Sequence, residues 1–275
     1  MKRLLGMLLV MVTASASVLA MGFGFVAADA IPRYAMDYQG GINTGTTTRT
    51  VNFDDVDDDD YYENPYEAPI FKNSYVGACA VDSGGNALVY YDRIYDDLVP
   101  DYKHNYVWGK FTYGTQNAGI NNMFASLYQL MDTNDQGTTI PGFKSGLDAY
   151  VSGRGRTLTL TGATGSHYGV NIDYLKQQLK QEKMAVVFLN NFAITTFTGL
   201  ERHDTYDEID YYTYSGYHTV LVYGYWDIYY YDAAGNVIER DTYLLASTGF
   251  VGAELAYIYM DDYGTIDDAY IVNIV

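Results

Sequence analysis

Residues 73–88 read Asn73-Ser74-Tyr75-Val76-Gly77-Ala78-Cys79-Ala80-Val81-Asp82-Ser83-Gly84-Gly85-Asn86-Ala87-Leu88. Ala80, Gly84, Ala87, Leu88 and Tyr91 recur at helical spacing, which predicts a helix over 78–95. Gly84 and Gly85 weaken a helix in isolation, but they let its backbone approach other elements closely, as a central buried helix must. Cys79 stands at the predicted helix start and is the single cysteine of the 275-residue chain. The reactive form of cysteine is the thiolate, and a free pKa of about 8.5 falls beside a helix N-terminus or an imidazolium. A lone cysteine also serves as a small core residue. The position at a helix start is what argues for chemistry.

Further helices are predicted over 120–131, 143–152 and 174–182, the last capped by Asn171 or Asp173. A short strand is expected at 156–160 and another at 185–189. The remainder is mostly β: 219–223, a hairpin of 229–231 and 237–245 turning at 232–236, then 257–260 and 269–275. Helices come first and strands follow, which indicates an α+β fold.

A thiolate needs a base. Of the four histidines, His104, His167 and His203 lie in polar, loop-like surroundings and read as solvent-exposed. His218 follows Ser215-Gly216-Tyr217 and opens the strand Thr219-Val220-Leu221-Val222-Tyr223. A rigid strand start is a good place from which to aim an imidazole at a helix terminus.

The run around Cys79 resembles the nucleophile helix of papain-like cysteine peptidases, in the bacterial secreted branch related to bacteriocin-processing (double-glycine) peptidases. The segment Gly216-Tyr217-His218-Thr219-Val220-Leu221-Val222-Tyr223-Gly224-Tyr225 is similar to that family's histidine strand. The stretch from Leu127 to Tyr150, with Met131-Asp132-Thr133-Asn134 and Gly137-Thr138-Thr139, resembles the same members. The likeness covers roughly residues 67–275 and implies a papain-like fold, a nucleophile helix packed on a C-terminal antiparallel sheet. It implies Cys79 as nucleophile and His218 as base. The Cys79 N–H and the side-chain amide of Asn73, six positions upstream, would form the oxyanion hole. The substrate class implied is a peptide or protein, with no cofactor.

Two positions depart from the family pattern. The residue that orients the histidine is commonly Asn or Asp, and the best match here is Thr248 in Thr248-Gly249-Phe250, with Ser247, Asp227 and Asn191 weaker candidates. The usual Cys-Gly-Pro-Thr becomes Cys79-Ala80-Val81-Asp82. Two other readings share the fold: an amidase cutting cell-wall peptides, and a non-catalytic binding or adhesion module. A peptidase predicts a reactive thiol, and a binding module an inert, buried one.

At the N-terminus Lys2 and Arg3 precede an apolar stretch, Leu4 to Leu19, and small residues lead to Ala28-Asp29-Ala30. This pattern reads as a signal peptide over 1–30 and implies secretion. The competing reading is an uncleaved anchor, because the apolar stretch runs on to Phe25. After removal of the leader no second stretch is long and apolar enough to span a bilayer. Residues 31–66 read as an acidic arm or propeptide-like segment, with Gly40-Gly41, a Thr-rich run from Thr44 to Thr50 and an acidic run from Asp54 to Asp60. A calcium loop starting at Asp55 would need Gly sixth and Glu twelfth, where Asp60 and Tyr66 stand, so no metal is assigned. The formal charge of −18 argues against a nucleic-acid partner, which needs a basic surface. The 31 tyrosines fit a Tyr-rich sheet.

Overall fold

The computed structural model describes residues 42–163, 170–260 and 265–275. The predicted leader over 1–30 and His167 lie outside them. Among the described residues the fold is α+β, with a large antiparallel sheet and four helices. The strands are β1 (Ile42–Asn52), β2 (Asp55–Asp57), β3 (Tyr61–Glu63), β4 (Asn105–Val107), β5 (Lys110–Thr112), β6 (Leu158–Gly162), β7 (Met184–Thr195), β8 (Leu200–Arg202), β9 (Tyr206–Tyr231), β10 (Val237–Ser247), β11 (Leu255–Tyr259) and β12 (Thr265–Ile274). The helices are α1 (Cys79–Asp92), α2 (Ala118–Leu130), α3 (Ile140–Gly153) and α4 (Ile172–Leu179).

The strand predicted over 219–223 is the middle of β9, which runs for 26 residues. Its Tyr, Val and Ile content suits a pleated, half-buried surface. The sheet order is β1-β9-β10-β11-β7-β12-β6, with β2, β3 and β8 also pairing to β9. Because β7 pairs with β9 as well, β9, β10, β11 and β7 close into a circuit. Side chains from all four, including Val187, Phe192, Val220, Leu244 and Ile258, pack together with Leu175 and Leu179 of α4. Side chains of alternate register, such as Val186, Phe188, Leu221 and Tyr223, pack instead with α1, α2 and α3.

α1 is buried along its whole length, as its sequence predicts. A Cβ on Gly85 would lie 2.4 Å from the Phe124 ring of α2, so the helices meet where the side chain is missing. Gly85→Val is expected to cost about 3 kcal/mol in urea denaturation, an overpacking penalty. Gly153→Ala, at the end of α3 with open space around it, is the control and should be close to neutral. α4 takes Asn171 as its cap, the side chain accepting from Tyr174 N at 3.0 Å.

Residues 42–63, expected to stand apart as an arm, lie in the sheet. β1 pairs with β9 from Ile42↔Ser215 to Asn52↔Tyr206, and Val51 and Phe53 are in the core. The Thr-rich run is a strand because β-branched residues suit a pleated surface; its partner is simply far away in sequence. The acidic run is held by specific contacts: Asp58 pairs with Arg202, and Asp60 accepts from the Tyr225 hydroxyl at 2.8 Å.

β1 also brings Arg49 to a buried polar cluster. Arg49 donates to both oxygens of Asp241 at 2.8 and 2.9 Å and to the Tyr259 hydroxyl at 3.0 Å. Asp241 also accepts from Tyr259 at 3.1 Å, Tyr243 at 3.3 Å and Tyr230 at 3.4 Å. Burial, with the charge of Asp241, holds these hydroxyls protonated well above the usual tyrosine range.

Candidate active site

Cys79 is the first residue of α1, and the N-cap residue Ala78 offers no side-chain acceptor to the first turn. The approach to the helix is fixed by Gly77, at φ +70°, where a Cβ would lie 2.3 Å from the Asn134 carbonyl oxygen. Asn134 and Gly137 close a tight bridge between α2 and α3, so that connection seats the loop ahead of Cys79.

Polar side chains on α1 tie it to its surroundings. Asp82 accepts from the Asn73 backbone N–H at 2.9 Å and from its side-chain amide at 2.7 Å. Asn86 pairs with the backbone N–H and C=O of Phe71 at 3.0 and 2.8 Å. Ser83, one turn after Cys79 on the same helix face, donates to the Thr219 carbonyl at 3.0 Å. The start of α1 is therefore fastened to the residue that follows His218.

His218 lies on β9 with its Nε2 2.7 Å from the Thr248 carbonyl oxygen. A carbonyl only accepts, so Nε2 carries the proton and Nδ1 is the basic nitrogen of the neutral ring. The imidazole stacks on Phe250 (centroids 4.4 Å apart, 9° between planes) and on Phe192 (5.6 Å, 16°). Tyr214 stacks on both phenylalanines, and burial pushes its hydroxyl up to about 12.

The third position meets the imidazole in a form the sequence does not suggest. Thr248 touches His218 through its main-chain carbonyl, not its hydroxyl. The hydroxyl donates to the Ala253 carbonyl at 2.6 Å and accepts from Phe250 N at 3.0 Å, and Thr248 N donates to the Glu254 carbonyl. Thr248 thus folds the 248–254 turn that carries Phe250 against the ring. Thr248→Val is expected to lose about 1–3 kcal/mol, read by urea denaturation, because it deletes both hydroxyl bonds in a buried site. The weaker candidates are engaged elsewhere. Ser247 donates to the Pro69 carbonyl at 2.9 Å, Asp227 pairs with Lys176 and Arg240, and Asn191 accepts from Gly216 N at 3.0 Å.

The side-chain amide of Asn73, expected to serve an oxyanion hole, donates to Asp82 in the first turn of α1, and one of its two N–H donors is used there. The loop bearing Asn73 meets the 248–254 turn, where Lys72 Nζ donates to the Gly249 carbonyl. Cys79 is 2% exposed and His218 1%, so both are covered in this form. Phe250, Phe192 and Asp82 were given no role by sequence reasoning, although Phe250 stands in the motif and Asp82 in the nucleophile run.

His104, expected in solvent, is instead packed among Tyr102, Phe111 and Tyr113 with Nε2 3.0 Å from buried Asp92. His203 is exposed and stacks on Tyr206. Among the described residues no group of three or more His, Cys, Asp or Glu side chains is arranged to hold a metal ion. A separate cleft of about 330 Å³, lined by Asp60, Asp173, Lys176, Gln177, Lys180 and Tyr225, shares none of the residues discussed around Cys79. Compared with known protein families, with curated proteins and with solved structures, the chain matches none.

Proposed function

We propose that this chain is a cysteine-dependent acyl-transfer enzyme of papain-like arrangement, with Cys79 and His218 as its working pair. Within that class it is read as a secreted peptidase that hydrolyses peptide bonds through a thioester. The observation that carries the reading is the Nε2–H···O=C bond from His218 to Thr248, which makes Nδ1 the base, on a strand to which the first turns of α1 are tied through Ser83.

The chemistry follows from these groups. The Cys79 proton passes to His218 Nδ1, and the thiolate sulfur attacks the peptide carbonyl carbon. The Cys79 N–H and the second N–H of the Asn73 amide donate to the oxyanion. Collapse breaks the C–N bond, and Nδ1–H protonates the leaving amine. Water, deprotonated by Nδ1, then cleaves the thioester and regenerates the thiol. Cys79 and His218 are both buried, so substrate entry requires the surface over them to open.

The same burial favours a second reading, a papain-fold binding module whose thiol is inert. Iodoacetamide separates the two. Alkylation of Cys79 between pH 4 and 9, followed by mass spectrometry, should proceed well below pH 8 and slow in His218→Ala if the pair is catalytic. Labelling that rises only near pH ~8.5 in both proteins, the behaviour of an ordinary thiol, would establish the binding reading instead.

A further inference from the structure

The hairpin of β4 and β5 is unlike the rest of the surface. Val107 pairs with Lys110, so the loop is two residues long, Trp108-Gly109. Both have positive φ, +54° and +75°, the backbone of a type I′ turn. Asn or Asp normally fills the first position, because a bulky residue there is strained. Here it is tryptophan, 98% exposed, flanked by Tyr106 at 74% and Val107 at 49%. A strained backbone that presents a bare indole to water is a poor arrangement for folding alone.

The root of the hairpin is rigid. Phe111 packs edge-on to Tyr66, and His104 sits between Tyr102 and Phe111 and is tied to Asp92 at the C-terminal end of α1. The tip is therefore held out on a fixed base rather than folded back. Its charge is also distinctive. In a chain of net charge −18, residues 103–112 hold Lys103 and Lys110, both exposed, and no carboxylate. A convex tip of Trp, Tyr and Val rimmed by lysine matches the chemistry of a bilayer interface. There aromatic rings sit at headgroup level and lysines meet anionic phosphates. No helix among the described residues is long and apolar enough to cross a membrane.

We propose that the Tyr106–Lys110 hairpin docks the protein on an anionic lipid surface, with Trp108 inserted at headgroup depth. α1 is 14 residues long, about 20 Å, and the hairpin is anchored at the end opposite Cys79. The hairpin root and Cys79 are thus at opposite ends of α1, and the proposal does not depend on the peptidase reading.

Residues Ile31–Val275 form a compact unit of their own, with every described strand and helix, and protein starting there avoids the apolar leader. The chain has two tryptophans, so Trp226→Phe leaves Trp108 as the only indole. With vesicles of phosphatidylcholine and phosphatidylglycerol at 3:1, Trp108 emission should shift to the blue and be quenched by brominated acyl chains. In flotation assays Trp108→Ala, and separately Lys103→Glu with Lys110→Glu, should each weaken binding by about tenfold or more. These side chains lie outside the core, so circular dichroism should not change. An unshifted Trp108 emission at millimolar lipid, or unaltered flotation of Trp108→Ala, would overturn the proposal. Trp108-dependent self-association in ultracentrifugation without lipid binding would overturn it too, and would assign the tip to a second copy of the chain.

Discussion

Cys79→Ala is expected to reduce peptide hydrolysis by about 10⁴-fold or more while the protein stays folded. The two parts of this expectation have separate physical grounds. Removing the sulfur removes the only nucleophile on the proposed route, and residual turnover would come from binding and oxyanion donors alone. The fold should persist because α1 is held by contacts that do not involve the thiol: Asp82 to Asn73, Ser83 to Thr219 and Asn86 to Phe71. Replacing one buried sulfur by hydrogen leaves a small gap, worth about 1 kcal/mol. Activity would be followed on a library of unstructured peptides, and stability by urea denaturation. Full activity in Cys79→Ala would eliminate the mechanism. Loss of activity together with loss of cooperative unfolding would show that Cys79 is a core residue first.

Asp241→Ala is expected to cost about 3–5 kcal/mol, the largest stability loss of any substitution considered. Asp241 is fully buried and accepts from Arg49, Tyr230, Tyr243 and Tyr259. Deleting it leaves the partly buried Arg49 guanidinium without its buried carboxylate and takes an acceptor from the Tyr243 and Tyr259 hydroxyls, while Tyr230 keeps Asp207 at 3.1 Å. Glu239, the other partner of Arg49, is more exposed and recovers only part of the charge pairing. Asp241→Leu combined with Arg49→Met removes the charges together and should cost less than Asp241→Ala, since unpaired burial is the expensive state. Urea midpoints for the three proteins decide the matter. A loss below about 1 kcal/mol in Asp241→Ala would mean that water reaches the cluster and replaces the carboxylate.

Much of the site-bearing frame could be read from local sequence. The helix at Cys79 was legible from spacing, and Gly84 and Gly85 signalled close approach because, inside a helix, a missing Cβ serves packing rather than an unusual φ. The strand around His218 was legible from its apolar run. What sequence does not carry is the partner of a strand or of a main-chain atom. β1 looks like a polar arm because Thr and Asn dominate it, and its strand character comes from β9, 162 residues away at Thr48 and Asp210. Thr248 was found by motif position, yet it reaches the imidazole with its carbonyl, a group every residue possesses. His104 was misread as exposed because its cover, Phe111 and Tyr113, arrives by the turn at Trp108-Gly109, where no Asn-Gly pair announces a hairpin.

The length and central place of β9 have a kinetic consequence. It takes partners from β1, β7 and β10, so the sheet cannot close through neighbours in sequence. Such high contact order places folding in the slow, millisecond-to-second range for small domains, and later still for a chain of this size. During synthesis α1 emerges long before His218, and the Thr248 carbonyl follows later again. The growing chain therefore carries the Cys79 thiol before the base proposed for it, and the proposed pair forms only once β9 and the 248–254 turn are in place.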